Sequence, residues 1–329
     1  MDVFSSGRLR PPLQRSTFSA YTQSMSDPIR LIAADLDGTL LAPNGQLNAR
    51  TVAALRAAER AGVFLVFATG RRQSFTAQVL ANAGLRADTV LITSNGAVTR
   101  TMEGTLIERH RMPVEAARQL CDHLAEFRDA MLFTFDRTGP GAMVVERLTT
   151  LHRSIAKWVE SNVHEIATVT PLEAAFAAGE APVQGMLCGT LERMTAALAV
   201  LDSDVPEARN LRAAISIHRT EYAIRDLCIV DLLSAACSKG RALERVATAQ
   251  GISSAQVLAL GDNMNDADML AWSGCPVLMS NAAPEMHTLA AANGWRIAAS
   301  NEEDGAAQVI EAALDGSFSR RAKPVFVVD

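Results

Sequence analysis

The sequence is poor in aromatic residues and has no long apolar run. Only 5% of its 329 residues are aromatic while 49% are hydrophobic, so a core must be filled mainly by aliphatic side chains. Apolar runs such as residues 63–68 are far shorter than the roughly 18 residues that a membrane-spanning helix needs. We therefore expect a soluble protein with no membrane partner.

Basic clusters and paired cysteines are also missing. The net charge is -5, and no block of Lys and Arg with interleaved aromatic residues is present, which argues against a nucleic-acid partner. The five cysteines are scattered and form no C-x-x-C pair, so neither a disulfide framework nor a thiolate zinc site is expected. This usage is typical of a reducing compartment and predicts a cytoplasmic protein.

The first residues differ in composition from the rest of the chain. Arg8, Arg10 and Arg15 lie among Ser and Thr residues, and the apolar stretch of a secretory signal is missing. We interpret residues 1–27 as a disordered extension or as the product of a misplaced start, with Met25 directly before the first folded-looking segment. An organelle-targeting segment is the other interpretation.

Short apolar runs alternate with Ala-rich, helix-like stretches over much of the chain. Predicted strands cover residues 31–36, 63–68, 90–93, 257–260, 276–279 and 295–298, and predicted helices cover residues 48–61, 74–83, 239–250, 266–272 and 304–314. Continuous apolar strands indicate burial on both faces. The alternation predicts an α/β fold with a doubly wound, Rossmann-like parallel sheet.

The pattern changes between residues 97 and 239, where helical stretches mix with strand-like pieces and with Pro and Gly. Because α/β signals resume after this segment, we interpret it as a second α/β domain inserted into the first. The predicted division gives residues 28–99 and 233–329 to the core and residues 100–232 to the insert.

The strongest motif is the run Asp35-Leu36-Asp37-Gly38-Thr39. Its two carboxylates follow a predicted buried strand, and ligands of open parallel sheets bind beyond the carboxyl ends of the strands. Carboxylate oxygens in such a crevice suit Mg²⁺. A solvated turn is the alternative for an isolated Asp-x-Asp pair, while a calcium loop of the EF-hand type fails because Gly38 directly follows Asp37.

A second acidic cluster follows another predicted strand far downstream. Asp262, Asn263, Asn265 and Asp266 come directly after residues 257–260 and Gly261. An Asn/Asp-rich helix cap is the alternative. Because both clusters follow strands of one predicted sheet, we expect their acids to share a divalent metal site.

Two further polar signals remain ambiguous by themselves. Thr69, Gly70 and Arg71 end a predicted strand just before a helix, where a hydroxyl and free backbone N–H groups can bind an anion, although a plain turn is the alternative. Lys239 lies in the first turn of a predicted helix, a position that the helix dipole disfavours for a cation. An anionic partner or a solvated surface position would account for it.

In chain order, residues 35–39, 69–71, 239–240 and 261–266 resemble the four motifs of the haloacid dehalogenase superfamily. More narrowly, they resemble those of its Cof-type phosphatases, whose type C2 cap domain is inserted between the second and third motifs. The similarity extends from about residue 28 to residue 314 and includes 94–97, Asn281-Ala282 and 300–305. Ala236 departs from the pattern, since relatives often carry glycine shortly before the lysine.

This resemblance implies a phosphatase that forms a phospho-aspartate on Asp35. The implied catalytic residues are Asp35, Asp37 and Lys239. The implied phosphate-binding residues are Thr69, Gly70, Arg71, Asn95 and Asn265. The implied ligands of Mg²⁺ are Asp35, the main-chain carbonyl of Asp37, Asp262 and Asp266.

The substrate implied by the resemblance is a small phosphorylated metabolite such as a sugar phosphate, pyridoxal phosphate or flavin mononucleotide. A phosphomutase and a non-catalytic metal- or phosphate-binding module are the alternatives. The insert contains conceivable substrate contacts, which are His152, Arg219, Glu221 and Tyr222. The sequence does not indicate an oligomeric state.

Overall fold

The computed structural model describes residues 28–148, 151–176 and 178–318. The expected N-terminal extension, residues 1–27, lies outside the described residues and stays a prediction. Within these described ranges the strands are β1 (Leu31–Ala34), β2 (Phe64–Ala68), β3 (Val90–Thr93), β4 (Val98–Thr101), β5 (Leu106–Arg109), β6 (Met131–Thr134), β7 (Met143–Val145), β8 (Ile166–Thr168), β9 (Gln184–Gly189), β10 (Ile215–Tyr222), β11 (Leu227–Ser234), β12 (Val257–Gly261), β13 (Cys275–Met279) and β14 (Arg296–Ala298).

The α-helices of the described part of the chain are connected by turns and short 3₁₀ segments. They are α1 (Ala49–Arg60), α2 (Gln73–Leu80), α3 (Val114–His123), α4 (Ala156–Asn162), α5 (Leu191–Leu201), α6 (Pro206–Ala214), α7 (Lys239–Ala249), α8 (Ala267–Trp272), α9 (Pro284–Asn293) and α10 (Gly305–Asp315). None of these helices has the length and apolar character needed to cross a membrane.

The core is an eight-stranded sheet in the order β14-β13-β12-β1-β2-β3-β4-β5. From β14 to β3 all neighbours are parallel, with Leu31 of β1 opposite Val257 on one side and Phe64 on the other. Every residue of β1 is buried. This confirms the predicted α/β class with a largely parallel sheet.

Both faces of this sheet are covered by helices because its strands are apolar at successive positions. Ile32 and Ala34 pack on the side of α1 and α10, whereas Leu31 and Ala33 pack on the side of α7, α8 and α9. A strand alternates its side chains between the two faces, so a continuous apolar run needs a helical layer on each side.

The antiparallel hairpin of β4 and β5 extends the core sheet beyond β3. The predicted boundary between residues 99 and 100 therefore falls inside β4, and the boundary between residues 232 and 233 falls inside β11. The hairpin was not predicted because its strands carry polar and half-exposed residues such as Arg100 and Glu108, which give no continuous apolar run.

The intervening segment builds a six-stranded sheet in the order β10-β11-β9-β6-β7-β8. Helices α3, α5 and α6 pack on one face through side chains such as Leu120, Met194 and Leu211. Trp158 of α4 packs on the other face beside Leu132. The strand β11 carries the chain out of this sheet and towards α7 of the core.

Candidate active site

The acids of the two predicted clusters lie together at the carboxyl edge of the core sheet. Strands β1 and β12 are parallel neighbours, with Ala34 opposite Leu260. Asp35 and Asp262 are the first residues after these strands. Carboxylate oxygens of Asp35, Asp262 and Asp266 all lie within 4.8 Å of one another.

Lys239, at the start of α7, is fully buried between two of these acids. Its Nζ donates to Oδ1 of Asp35 and to Oδ1 of Asp266, each at 2.6 Å. Burial opposes its charge, but Asp266 and Asp35 together raise the pKa of Lys239 above its ordinary value. The buried position excludes the solvated alternative, and the two acids are the anionic partner that was the other interpretation of a lysine at a helix start.

One lysine does not balance the three acids. Burial, with the charge of Asp266 next, raises the pKa of Asp262 to about 8, and burial also raises the pKa of Asp35 well above its usual range. Two unit charges 4 Å apart repel by roughly 4 kcal/mol at an effective dielectric constant of about 20. The cluster is therefore short of positive charge, and its oxygen donors suit a hard divalent cation.

The turn after β1 packs directly against Asp262. The hydroxyl of Thr39 donates to Oδ1 of Asp262 at 3.1 Å. Gly38 has φ +80°, and a Cβ at this position would collide with the Asp262 carboxylate. Glycine is thus required here both by its left-handed backbone and by the close approach of the second acidic turn.

Two asparagines in the loops that follow β13 and β14 support this turn. Asn281 donates from its amide to the carbonyl of Gly38 at 2.8 Å, and it accepts from the backbone N–H of Asn301 at 3.1 Å. Asn301 in turn donates to the carbonyl of Leu41 at 2.7 Å. The segments that resemble family motifs near residues 281 and 301 therefore brace the turn that carries Asp35 and Asp37.

Asp37 is paired with the guanidinium group of Arg71. Nε and Nη2 of Arg71 donate to the two carboxylate oxygens at 2.7 and 2.5 Å. Thr69, which is buried, accepts from the backbone N–H of Arg71 at 3.1 Å. The segment 69–71 thus lies beside the first motif, at the end of β2 and before α2.

Asn95 and Asn265 belong to a buried amide network next to Gly70. Asn265 donates to Oδ1 of Asn95 at 3.0 Å, and Asn95 donates to Oδ2 of Asp231 at 2.7 Å. Gln184 donates to Oδ1 of the same carboxylate at 2.6 Å. Burial raises the pKa of Asp231 to about 6, against the opposing hydrogen bonds from Gln184 and Asn95.

Asp231 and Gln184 were not predicted as part of the site. Asp231 is the one acid inside the apolar strand β11 and lies eight positions before Lys239. An acid in a buried strand needs a polar partner, and this is the signal that could have identified it. Nothing in the sequence connects it to Asn95.

The four conceivable contacts of the insert differ in position. His152 accepts from the backbone N–H of Ser154, and Arg219 pairs with Glu221. Burial, and then the negative charges of Asp37 and Asp262, raise the pKa of Tyr222. Of the four, Tyr222 therefore lies in the electrostatic field of the acidic cluster.

The comparison with known families agrees with this geometry. A family model described as haloacid dehalogenase-like hydrolase matches residues 32–310. The chain belongs to this family. The match confirms the superfamily that the four motifs indicated, and it spans both the core sheet and the inserted sheet.

Curated and solved relatives of this haloacid dehalogenase-like hydrolase are similar over most of their length. An Escherichia coli protein named HMP-PP phosphatase is 28% identical over 258 residues, which are 78% of this chain and 86% of the relative. A Bacteroides thetaiotaomicron structure, described among phosphatases of the superfamily, has a TM-score of 0.69 at 21% identity and covers 90% of this chain and 98% of its own.

A third relative is the solved structure of a subclass IIB sugar phosphatase of the same superfamily. It has a TM-score of 0.66 at 20% identity and covers 86% of this chain and 98% of its own. Both structural likenesses support the fold described above.

Proposed function

We propose that this haloacid dehalogenase-like hydrolase is a Mg²⁺-dependent phosphatase that hydrolyses small phosphate monoesters through a phospho-aspartate on Asp35. The observation that carries the proposal is the buried cluster in which Lys239 lies between Asp35 and Asp266 while Asp262 closes the third side. Phosphoryl transfer to an aspartate needs a nucleophilic carboxylate, a fixed cation, and further acids whose unbalanced negative charge can hold a metal ion.

Asp35, Asp262, Asp266 and the main-chain carbonyl of Asp37 would hold the cation. Their fit is supported by the spacing of the three carboxylates and by the raised pKa values of Asp35 and Asp262. Bound Mg²⁺ would offset the repulsion between an anionic nucleophile and an anionic phosphate.

In the proposed reaction, an oxygen of Asp35 attacks phosphorus and the bond to the leaving alkoxide breaks. Asp37, entering the step protonated, gives its proton to the leaving oxygen, and the carboxylate so formed later takes a proton from the water that cleaves the phospho-aspartate. Both oxygens of Asp37 are bound by Arg71 in this structure. The incoming phosphate would compete for this guanidinium group and so free a carboxyl oxygen for the leaving group.

The phosphate oxygens would be bound by the hydroxyl of Thr69, the backbone at Gly70, Arg71 and the amides of Asn95 and Asn265. Support comes from the hydrogen bonds that place Arg71 beside the first motif and from the Asn95 amide, which lies 3.2 Å from where a Cβ on Gly70 would be. Lys239 would hold Asp35 in place and contribute a second positive charge.

A small phosphorylated metabolite is the proposed substrate class. The names of the relatives, an HMP-PP phosphatase and a sugar phosphatase, suggest that a screening panel should contain phosphorylated heterocycles and sugars. The inserted domain would select the leaving group and exclude water. Five buried cysteines without a disulfide are compatible with the proposed cytoplasmic location.

The test is phosphate release from a panel of esters with Mg²⁺, with EDTA, and with the variant D35N. We expect turnover by the wild type and a loss of at least about a thousandfold in both other cases. D88N changes an exposed aspartate paired with Arg86 and serves as the matched control.

The two alternatives make different predictions in the same assay. A phosphomutase keeps its phospho-aspartate from water, so rapid phosphate release from a generic aryl phosphate would exclude it. A non-catalytic binding module would release no phosphate from any ester of the panel, and this result would overturn the proposed function.

A further inference from the structure

Asp231 is a buried carboxylate of the inserted sheet whose two oxygens each accept one hydrogen bond. It lies on β11 and is 6% exposed. Gln184, on the neighbouring strand β9, donates to Oδ1 at 2.6 Å, and Asn95 of the core donates to Oδ2 at 2.7 Å. The carboxylate therefore connects the two sheets of the molecule through an interaction with charge-assisted strength.

This carboxylate dictates which way the amide of Asn95 points. A carboxylate can only accept, so the NH₂ group of Asn95 must face Asp231 and its carbonyl oxygen must face the other way. That oxygen accepts from the amide of Asn265 at 3.0 Å. The orientation of Asn265 thus follows from a charge on a different domain.

Asn95 also braces the segment that ends β2. Its backbone N–H donates to the carbonyl of Thr69 at 3.0 Å, and its own backbone is left-handed with φ 51°. The side-chain amide lies so close to Gly70 that a Cβ on this glycine would come within 3.2 Å of it. A rotation of the Asn95 amide would therefore break its hydrogen bonds with Asp231 and Asn265 directly beside Gly70.

We propose that Asp231 is a positioning residue that, through Asn95, fixes the phosphate-binding groups at Gly70 and Asn265. The proposal rests on the proposed function, because it assumes that these groups bind phosphate. By this route the inserted domain acts on the reaction centre in addition to any contact with the leaving group.

The test uses the full chain with Mg²⁺ and inorganic phosphate as the probe. Phosphate affinity, kcat/KM for an ester that the wild type hydrolyses, and the melting temperature are measured for D231L, D231N, N95A and N95A/D231L. D136N is the matched control, because Asp136 is another mostly buried acid of the insert that pairs with Arg100 and Arg109 of the core hairpin.

We expect D231L to weaken phosphate binding and to lower kcat/KM by about tenfold or more, because it removes a charged acceptor. D231N keeps one acceptor oxygen for two donors and should have a smaller effect in the same direction. The phosphate affinity and kcat/KM of N95A/D231L should equal those of N95A within about twofold, because without the Asn95 amide Asp231 has no group to orient. D136N should lower the melting temperature and leave phosphate affinity within about twofold.

Wild-type phosphate affinity in D231L, or in D231N if D231L does not fold, would overturn the proposal. So would additive losses in N95A/D231L, or an equal loss of phosphate affinity in D136N. A wild type that binds phosphate but hydrolyses no ester would refute only the proposed function, and the Asp231 variants would still be judged by binding. A wild type that neither binds phosphate nor hydrolyses an ester would overturn both.

Discussion

The ammonium nitrogen of Lys239 lies 2.6 Å from Oδ1 of Asp35, although 204 residues separate the two in the chain. The pair joins the start of α7 to the end of β1, and the same nitrogen contacts Asp266 beyond β12. The charge balance of this cluster and the stability of the fold are therefore coupled, because one buried cation partly neutralises acids that folding brings together.

Replacement of Lys239 by methionine should lower both activity and stability. The variant K239M leaves buried acids without their cation, so we expect a loss of about 3–5 kcal/mol in the free energy of unfolding. Turnover should fall by at least about a hundredfold. Urea unfolding and steady-state kinetics measure the two effects. K157M, which removes an exposed lysine of α4, should change neither. Near-wild-type turnover in K239M would contradict the assigned role.

Replacement of Gly38 by alanine should separate backbone strain from a collision. Gly38 and Gly45 have φ +80° and +77°, so G38A and G45A should each lose about 1–2 kcal/mol of stability. Only at residue 38 would the added Cβ meet Asp262, while nothing lies within 4 Å at residue 45. We expect G38A to lose Mg²⁺-dependent turnover by at least about tenfold and G45A to keep it. Equal Mg²⁺-dependent turnover of G38A and G45A would contradict the expected effect of the collision with Asp262.

Replacement of Arg71 by methionine should affect catalysis far more than folding. The pair with Asp37 is partly exposed, at 30% and 47% for the two side chains, and such pairs contribute below about 1 kcal/mol. We expect R71M to lower kcat/KM by roughly tenfold to a hundredfold, because a phosphate loses a bidentate donor. R50M removes the comparably exposed pair with Glu311 and should keep wild-type kinetics. A large change in melting temperature without a kinetic effect would point to a structural role.

Metal-free stability should fall as the pH rises. Burial and Asp266 raise the pKa of Asp262 to about 8, whereas an unfolded Asp titrates near about 3.9. Between these values the folded state binds more protons than the unfolded state, so the free energy of unfolding decreases as the pH increases.

Bound Mg²⁺ takes the place of that proton, so its stabilising effect should grow from about pH 6 to about pH 8. A free concentration about 100 times the dissociation constant adds about 2.7 kcal/mol. Melting curves with Mg²⁺ or EDTA at both pH values measure this difference. D262N should lose most of the Mg²⁺ effect and should be more stable than the metal-free wild type near pH 8. A pH-independent response would show that Asp262 does not bind the cation.

Much of the core could be predicted from the sequence because its strands are buried on both faces. The predicted strand at residues 90–93 coincides with β3, and the helix at 239–250 differs from α7 by one residue. Strands of the β4–β5 hairpin and helix α9 were not predicted. Their residues are partly exposed or lack a strong apolar periodicity, so the pattern that marks a buried element is weak there.

The two acidic clusters were predicted to share a metal site because each comes after a predicted strand of one sheet, whereas Lys239 was identified as a site residue through the family resemblance. The sequence could not show that Asp231 accepts a hydrogen bond from Asn95, or that Arg71 donates to both oxygens of Asp37. These contacts join side chains that are 136 and 34 residues apart, and their geometry depends on how two sheets pack.

The sequence by itself determined the α/β class, the family motifs and the chemical types of the candidate site, because apolar periodicity and polar strand ends are local properties. Only the tertiary structure decided that Lys239 is fully buried between two acids and that the inserted sheet reaches the site through Asp231. The burial of a side chain and the choice of its hydrogen-bond partners depend on how distant segments pack together and exclude water. No single segment of the sequence contains this information.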